Sequence, residues 1–336
     1  MAFKRLDAED FVVSADSVQS TAWSTNQPTL TEFYRDSAQM AGSSGNYYQS
    51  VYQTGSLQSG SAVQFDVAYG NRVGSGSTPF NAFFPQYSPS SVAYGQYRTM
   101  ILEDESSNFI YGEGENTHTP IDFWVISPDR ARYKESIFPG TLNLHLTNGS
   151  TVLKLTDNSR DVTIQTFMGS SRVYQLVSGS SGKSISGGGF ETGLGSYGLL
   201  FPELGTILLN PDAIGNYLGL TPTRNANTNN STNPERIFTA ISASKNFEMN
   251  SQETITSDFV FCRARNSEFN YSSNPSFISG STGQVLFPDF INNPQVYMTT
   301  VGMYNDANEC IAVAKLSRPL QKDFTKESLI RVKLDF

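Results

Sequence analysis

The sequence predicts a mainly β protein, a β-sandwich or mixed antiparallel sheets with a few short helices, and an α+β fold is the second choice. Apolar and polar residues alternate at period two in many short segments, which is typical of strands with one buried face. Apolar residues follow helical spacing in only two segments. Gly, Asn and Ser cluster between the alternating segments, which favours short strands joined by turns.

In the N-terminal part, residues 62–69 alternate, with Val63, Phe65, Val67 and Tyr69 on one face, which predicts a half-buried strand. Apolar residues in 90–103 recur at helical spacing and predict an amphipathic helix. The acidic residues 103–105 disfavour extending this helix further, because negative charge is unfavourable at a helix C-terminus.

In the middle of the chain, the apolar run 121–126 predicts a strand, and Leu142, Leu144 and Leu146 lead into Asn148-Gly149. This dipeptide tolerates the positive φ of a tight hairpin turn. Residues 161–168 and 172–178 predict two further strands around a Gly-Ser turn. The Gly/Ser-rich stretch 179–198 and residues 221–233 are expected to be mobile loops.

In the C-terminal part, Asn233-Pro234-Glu235 is typical of a helix start. A hairpin is predicted from residues 297–304 and 310–315 around the turn 305–308. Alternating residues 330–336 predict a final strand held inside a sheet. We expect three regions: 1–120, β-rich with one helix; 121–220, β with the Gly/Ser loop; and 221–336, β with a short helix, hairpin and final strand. These regions either form separate domains or pack as one compact unit.

The bulk composition excludes several classes of protein. Charged residues make up 16% of the chain and the net charge is -8, so a nucleic-acid partner is not expected, because such binding needs clustered Lys and Arg. The two cysteines, Cys262 and Cys310, exclude a disulfide framework and are expected to be small buried hydrophobes. Without a secretion signal or a long apolar run, neither export nor membrane insertion is expected, and assembly should occur in a cytoplasm.

The sequence offers few candidate residues for catalysis or for binding a metal or phosphate. His145 lies in a leucine-rich strand, and His118 ends a loop with Glu113 and Glu115 that lacks the spacing of a calcium site. Gly182-Lys183-Ser184 lacks the first glycine and the helix of a phosphate-binding loop. We therefore expect no catalytic residue, metal, cofactor or small-molecule substrate, and no enzymatic activity. A glycan-cleaving enzyme stays open as an alternative, because its two carboxylates can come from anywhere in a chain.

Two long segments resemble known proteins: 262–277, CRARNSEFNYSSNPSF, and the terminal block 300–336, which opens TVGMYND. With residues 1–5 and 45–48, they resemble virion structural proteins of large contractile-tailed bacteriophages, notably those infecting cyanobacteria. The pair VGMYND and IAVAK is also similar to strand pairs of baseplate and tail-fibre attachment modules. The resemblance covers about a quarter of the chain and implies a structural role without catalytic residues.

The resemblance implies a tail or baseplate subunit located in the virion, whose partners are other tail proteins and copies of itself. A baseplate wedge protein is the first expectation. A neck, collar or fibre-connector protein is the first alternative, and a glycan-degrading or glycan-binding tail component is the second. Aromatic residues in Ser-, Gly-, Asn- and Pro-rich segments are good anchors for such contacts. The expected interface residues are Tyr47, Tyr48, Tyr52, Phe83, Phe84, Tyr87, Phe269 and Tyr271.

Overall fold

In the computed structural model, the chain folds mainly as curled antiparallel sheets, with 47% strand and 16% helix, which confirms the predicted fold class. The structure describes residues 4–35, 48–54, 61–74, 90–185, 188–220, 232–272 and 274–335, with the backbone alone at 232 and 233.

The helices that the structure describes are α1 (Ser90–Leu102), α2 (Arg130–Tyr133), α3 (Pro211–Leu218), α4 (Thr232–Ser244) and α5 (Pro288–Asn292), besides a 3-10 turn at Ala8–Asp10. The strands in the first half are β1 (Phe11–Thr21), β2 (Thr29–Leu30), β3 (Tyr34–Arg35), β4 (Tyr48–Tyr52), β5 (Val63–Asn71), β6 (Tyr111–Glu113), β7 (Asn116–His118), β8 (Asp122–Pro128), β9 (Ser136–Ile137), β10 (Asn143–Asn148) and β11 (Thr151–Asp157). The later strands are β12 (Thr166–Met168), β13 (Ser171–Ser180), β14 (Lys183–Ser184), β15 (Gly198–Phe201), β16 (Thr206–Leu209), β17 (Phe247–Glu248), β18 (Asn250–Ala264), β19 (Val296–Tyr304), β20 (Cys310–Lys322) and β21 (Ser328–Asp335).

The chain divides into two compact units. Unit 1 combines Met1–Ser17 with Thr254–Phe336, and unit 2 is Val18–Glu253. This division differs from the three consecutive regions expected from the sequence. The reason is that β1, near the N-terminus, pairs with β18, more than two hundred residues later.

Unit 2 is built on a 13-stranded sheet, in which the order β2-β17-β10-β11-β13-β15-β16-β8-β5-β4-β3 carries two further short strands beside β13. Apolar clusters cover both faces of its centre. Because side chains alternate along a strand, Trp124 and Ile126 of β8 enter one cluster and Phe123 and Val125 enter the other. The run 121–126 is therefore apolar without alternation because both of its faces are buried.

Several predicted elements of unit 2 are confirmed. The helix expected over 90–103 is α1, which ends at Leu102 before Glu103 takes a φ of 56°. The hairpin of β10 and β11 turns at Gly149 with a φ of 60° and pairs Leu144 with Leu155 and Leu146 with Leu153. The second predicted helix is α4, whose Ile237 and Ile241 are fully buried.

Two expectations for the middle of the chain were wrong. The strand predicted over 161–168 forms only at β12, Thr166–Met168. The stretch 179–198 is largely ordered, because β14 pairs with the end of β13 and the Gly182 amide donates to Thr156 Oγ1 at 2.7 Å. Residues 186, 187 and 221–231 of the two expected mobile loops lie outside the described residues.

Unit 1 contains the β1-β18-β21 part of a four-stranded sheet, whose fourth strand, β9, pairs with the start of β18, and the hairpin of β19 and β20. The predicted final strand is confirmed as β21, where Ile330 and Val332 are buried and Arg331 and Lys333 are exposed. Val332 pairs with Val260 of β18, and the hairpin contributes Met303 to the same apolar cluster. Hairpin and sheet therefore enclose one small core.

Candidate assembly surface

Exposed apolar side chains concentrate in unit 1. Of the twenty-six exposed large hydrophobic residues among those described, fourteen belong to unit 1, which holds only about a third of the described residues. They are Phe11, Val12, Val13, Tyr271, Leu286, Phe287, Ile291, Tyr297, Tyr304, Ile311, Val313, Leu320, Phe324 and Leu329. Single exposed apolar residues are ordinary on a protein surface, whereas such a concentration is typical of an interaction site.

The outer face of the β19–β20 hairpin carries the most exposed of these residues. Ile311 and Val313 are 70% and 65% exposed, while Ala312 and Ala314, which alternate with them along the strand, pack against the core cluster. Val313 lies opposite Gly302, and the Tyr304 ring covers Gly302, since a Cβ there would meet that ring at 3.0 Å. Because i and i+2 residues share a strand face, Tyr304, Ile311 and Val313 form one apolar patch, which we call the hairpin patch.

The first half of β1 is apolar on both faces. Phe11, Val12 and Val13 are all exposed, Val13 to 68%, although neighbouring residues of a strand point to opposite sides. Neither side of this segment is covered within the described part of unit 1. A strand that leaves both faces open is a site where another protein can add its own strand or pack.

A loop between β18 and α5 presents Tyr271. Phe269 takes a φ of 55°, which is rare for a bulky residue, and the next residue, Asn270, is buried. The fully buried ammonium of Lys322 donates to Asn270 Oδ1 at 2.8 Å and to Asn266 O at 3.0 Å. These bonds hold the loop in place, so that Tyr271, 64% exposed, needs little further ordering to bind a neighbour.

The ends of unit 1 strands are joined by ion pairs. Arg263 on β18 lies 2.9 Å from Glu327, which precedes β21, and Lys4 lies 3.0 Å from Glu268. The Arg263 guanidinium lowers the pKa of Glu327, and the Arg265 amide together with Lys4 lowers the pKa of Glu268. Both carboxylates are therefore held in the charged form.

The structure places four of the eight interface residues expected from the sequence. Phe269 and Tyr271 lie together in the loop of unit 1, where Phe269 is half-buried. Tyr48, exposed, and Tyr52, half-buried, lie on β4 of unit 2. The other four, Tyr47, Phe83, Phe84 and Tyr87, lie outside the described residues.

Sequence reasoning missed the hairpin patch and the apolar start of β1. The signal was present: Phe11-Val12-Val13 and Ile311-Ala312-Val313 are apolar without alternation, yet they are not in the middle of a large sheet. Cys310 is also exposed, which corrects the expectation that both cysteines are buried, since it is the first residue of β20. Cys262 is half-buried and packs on the unit 1 cluster as expected.

The two histidines lie in different settings of unit 2. His118 Nε2 is 2.7 Å from Asp212 Oδ2, where Asp212 sits in the first turn of α3, which the Asn210 side chain caps. His145 lies on β10, and burial together with Lys154 lowers its pKa. Among the described residues, no group of three or more His, Cys, Asp or Glu side chains is arranged to hold a metal ion.

A shallow groove of about 370 Å³ opens on unit 2 beside the hairpin of β12 and β13. Its lining residues are Gln165, Phe167, Ser170, Ser171, Arg172 and Glu203. Phe167 is exposed, and Arg172 lies 2.6 Å from Glu203. An exposed ring beside amide, hydroxyl and charged groups offers a sugar both an apolar face and hydrogen-bond partners.

These features define a mainly β protein of two compact units, one of which carries most of the exposed apolar surface. Comparison with models of known protein families, with curated proteins and with solved structures finds no match for this chain. Within the described residues, every helix is too short or too polar to cross a membrane.

Proposed function

We propose that the chain is a non-enzymatic structural subunit of a contractile bacteriophage tail, first of all a baseplate wedge-type protein that binds other tail proteins and copies of itself in the virion. The observation that carries this proposal is the concentration of exposed apolar side chains in unit 1. A subunit of a large assembly buries such surfaces against its neighbours, whereas a free monomer leaves them in water.

The location of the phage-like segments supports the same proposal. The two long segments of the resemblance, 262–277 and 300–336, both belong to unit 1, whereas the short segment 45–48 belongs to unit 2. The two long segments include the hairpin patch, the loop that presents Tyr271, and β21. Half of the fourteen exposed apolar residues of unit 1 therefore lie in the segments that resemble virion proteins.

The free energy of burying these apolar side chains is large enough to drive assembly. Complete burial of one Leu, Val, Ile or Phe side chain contributes about 1.5–3 kcal/mol. The hairpin patch alone, with Tyr304, Ile311 and Val313, therefore offers several kcal/mol when a neighbour covers it. A preformed strand pair loses little conformational freedom on binding, so more of this energy remains for affinity.

Particle incorporation tests the proposal. We expect the chain in purified tailed particles of the phage that encodes it, at a fixed ratio to the other tail proteins by quantitative mass spectrometry. The variant Tyr304→Ser/Ile311→Ser/Val313→Ser should fold but be lost from particles, because the patch is exposed and not part of the core. The matched control is Val152→Ser/Ile164→Ser/Ile185→Ser, which removes exposed apolar residues from unit 2.

Absence of the chain from purified particles, or normal incorporation of the unit 1 variant, contradicts the proposal. A density map of the intact particle then separates the baseplate from the neck, collar or fibre connector, because each has its own position on the tail.

The groove on unit 2 favours a second candidate function, a glycan-binding tail component. Glycan cleavage needs two carboxyl groups about 5–10 Å apart, and Glu203 is the one carboxylate among the residues that line this groove. We therefore rank glycan binding above glycan cleavage. Retention on host surface polysaccharide that is lost in Phe167→Ala would support this candidate, and product release from the polysaccharide would support an enzyme.

A further inference from the structure

The β1-β18-β21 part of the sheet in unit 1 has two open edges. In the part of the chain that the structure describes, β1 and β21 each pair with β18 and with no other strand. Each outer edge therefore presents a row of backbone N–H and C=O groups to solvent, which is the template for adding another strand. The two edges differ in charge.

The β21 edge is basic. The acidic residues at its two ends already have partners. Glu327 forms an ion pair with Arg263 at 2.9 Å, and Asp335 accepts a hydrogen bond from Ser257 at 2.6 Å and forms an ion pair with Lys333 at 2.9 Å. Arg331 lies over the Phe259 ring and forms no ion pair within the described residues. Because Lys333 is paired with Asp335, Arg331 is the cation of this edge that has no ion-pair partner among the described residues.

The β1 edge is apolar and acidic. Phe11, Val12 and Val13 carry no charge on either face, and they lie between Glu9 and Asp16. Both of these acids are exposed and have no partner among the described residues. This edge therefore keeps unneutralised negative charge on both sides of an apolar stretch.

We propose that copies of this chain associate head to tail, with the β1 edge of one copy adding to the β21 edge of the next, so that the unit 1 sheets become continuous. This deepens the proposed function and rests on it for its place in a virion. The pairing sets one of the two acids, Glu9 or Asp16, beside Arg331, and it covers the exposed apolar start of β1. Cross-strand pairs of opposite charge stabilise such a sheet.

The two symmetric alternatives are less favourable. A two-fold pairing of β1 with β1 offers no cation to Glu9 and Asp16, and a two-fold pairing of β21 with β21 leaves the exposed apolar start of β1 uncovered. Like charges across paired strands are destabilising. A head-to-tail contact instead uses two different surfaces, and such contacts generate closed rings or open filaments rather than two-fold dimers.

Charge reversal on the purified full chain tests this pairing. Sedimentation and native mass spectrometry of the wild type should show assemblies larger than a dimer that grow with concentration and shrink with added salt. Glu9→Lys/Asp16→Lys should weaken association about tenfold or more, and so should Arg331→Glu/Lys333→Glu, because each sets like charges across the contact. The variant that combines all four changes should assemble again.

Matched controls change the same charge elsewhere on unit 1. Asp289→Lys/Asp306→Lys and Arg265→Glu/Arg318→Glu alter exposed residues outside both edges and should leave assembly unchanged. Circular dichroism verifies that each variant is folded.

A wild type that stays monomeric at every concentration overturns the proposal, as does a closed two-fold dimer. The proposal is also overturned if charge reversal on one edge alone leaves association unchanged, or if the variant that combines all four changes stays dissociated. Because no other virion protein is present, these outcomes are independent of particle incorporation, which tests the proposed function.

Discussion

Lys322 is a buried charge that organises its surroundings. Its ammonium group is fully buried and donates to Asn266 O, Asn270 Oδ1 and Asp323 O at 2.8–3.0 Å. Three oxygens match the three N–H donors of an ammonium group, so a buried charge is tolerated without a carboxylate in direct contact. The site joins the end of β20 to the loop that presents Tyr271.

We expect Lys322→Met to destabilise unit 1 by about 3 kcal/mol, because three buried oxygens lose a charged donor. The control Lys315→Met changes an exposed lysine of the same strand and should cost less than about 0.5 kcal/mol. Urea unfolding followed by amide hydrogen exchange of β18 and β21 measures both. Equal effects of the two variants would contradict a structural role for the buried ammonium.

Two glycines of the β6–β7 hairpin provide a second residue-level prediction. Both have positive φ, 103° at Gly112 and 58° at Gly114. A Cβ on Gly112 would lie 2.1 Å from Asn116 O, whereas a Cβ on Gly114 meets nothing within 4 Å. We expect Gly114→Ala to cost about 1–2 kcal/mol from backbone conformation alone, and Gly112→Ala to cost clearly more. Thermal unfolding of both variants tests this order.

The exposure or burial of a single residue could be predicted from the sequence only where the surrounding sequence pattern determines it. Tyr271 was predicted to be exposed because its segment is rich in Asn and Ser, and it is exposed. The burial of Lys322 was not predictable, because its three partners come from a loop more than fifty residues earlier in the chain and from its neighbour. A lysine ordinarily signals an exposed position.

At the scale of elements, alternation was most informative where one face meets the core. β21 repeats buried and exposed residues from Ser328 to Lys333, as its sequence predicts. The hairpin of β10 and β11 was predictable because Asn148-Gly149 fits its turn. By contrast, β14 lies in a Gly/Ser-rich stretch without alternation, and its place beside β13 is supported by the side chains of Thr156 and Asp161, which accept hydrogen bonds from the Gly182 and Ser184 amides.

The alternation of β21 leads to a matched pair of substitutions. Val332→Asp places a carboxylate in the unit 1 core and should cost about 3 kcal/mol or more. Leu329→Asp introduces the same side chain three residues earlier, at a position 63% exposed, and should be tolerated. Soluble yield and urea unfolding measure the difference. If Leu329→Asp proves equally damaging, the assigned faces of β21 are reversed.

At the scale of the whole molecule, the unfolding of each unit can be followed by a different experimental signal. Both tryptophans, Trp23 and Trp124, belong to unit 2 and are buried. Tryptophan fluorescence therefore follows unit 2 alone, whereas hydrogen exchange of β18 and β21 follows unit 1. The discontinuous unit 1 was not predictable from sequence, because no local pattern shows that residues near the N-terminus pair with β18.

The carboxylates of the two units also respond differently to acid. In unit 1, hydrogen bonds and ion pairs lower the pKa of Glu268, Asp323, Glu327 and Asp335. In unit 2, hydrogen bonds from Ser106 and Ser107 lower the pKa of Asp104, while burial raises the pKa of Asp66 and Asp157. A lowered carboxylate pKa stabilises the fold above the unfolded pKa, and this stabilisation is lost as pH falls through the folded value.

We therefore expect acid to weaken unit 1 before unit 2. The loss should begin near the ordinary pKa values of 4.5 for Glu and 3.8 for Asp and continue below them. Raised values act in the opposite sense, so Asp66 and Asp157 stabilise unit 2 most at low pH and lose that contribution as pH rises. Urea midpoints across this range should fall for hydrogen exchange of β18 and β21 and change less for tryptophan fluorescence. In Glu327→Gln/Asp335→Asn the slope for unit 1 should flatten, because these side chains no longer titrate, and an unchanged slope would contradict their assigned role.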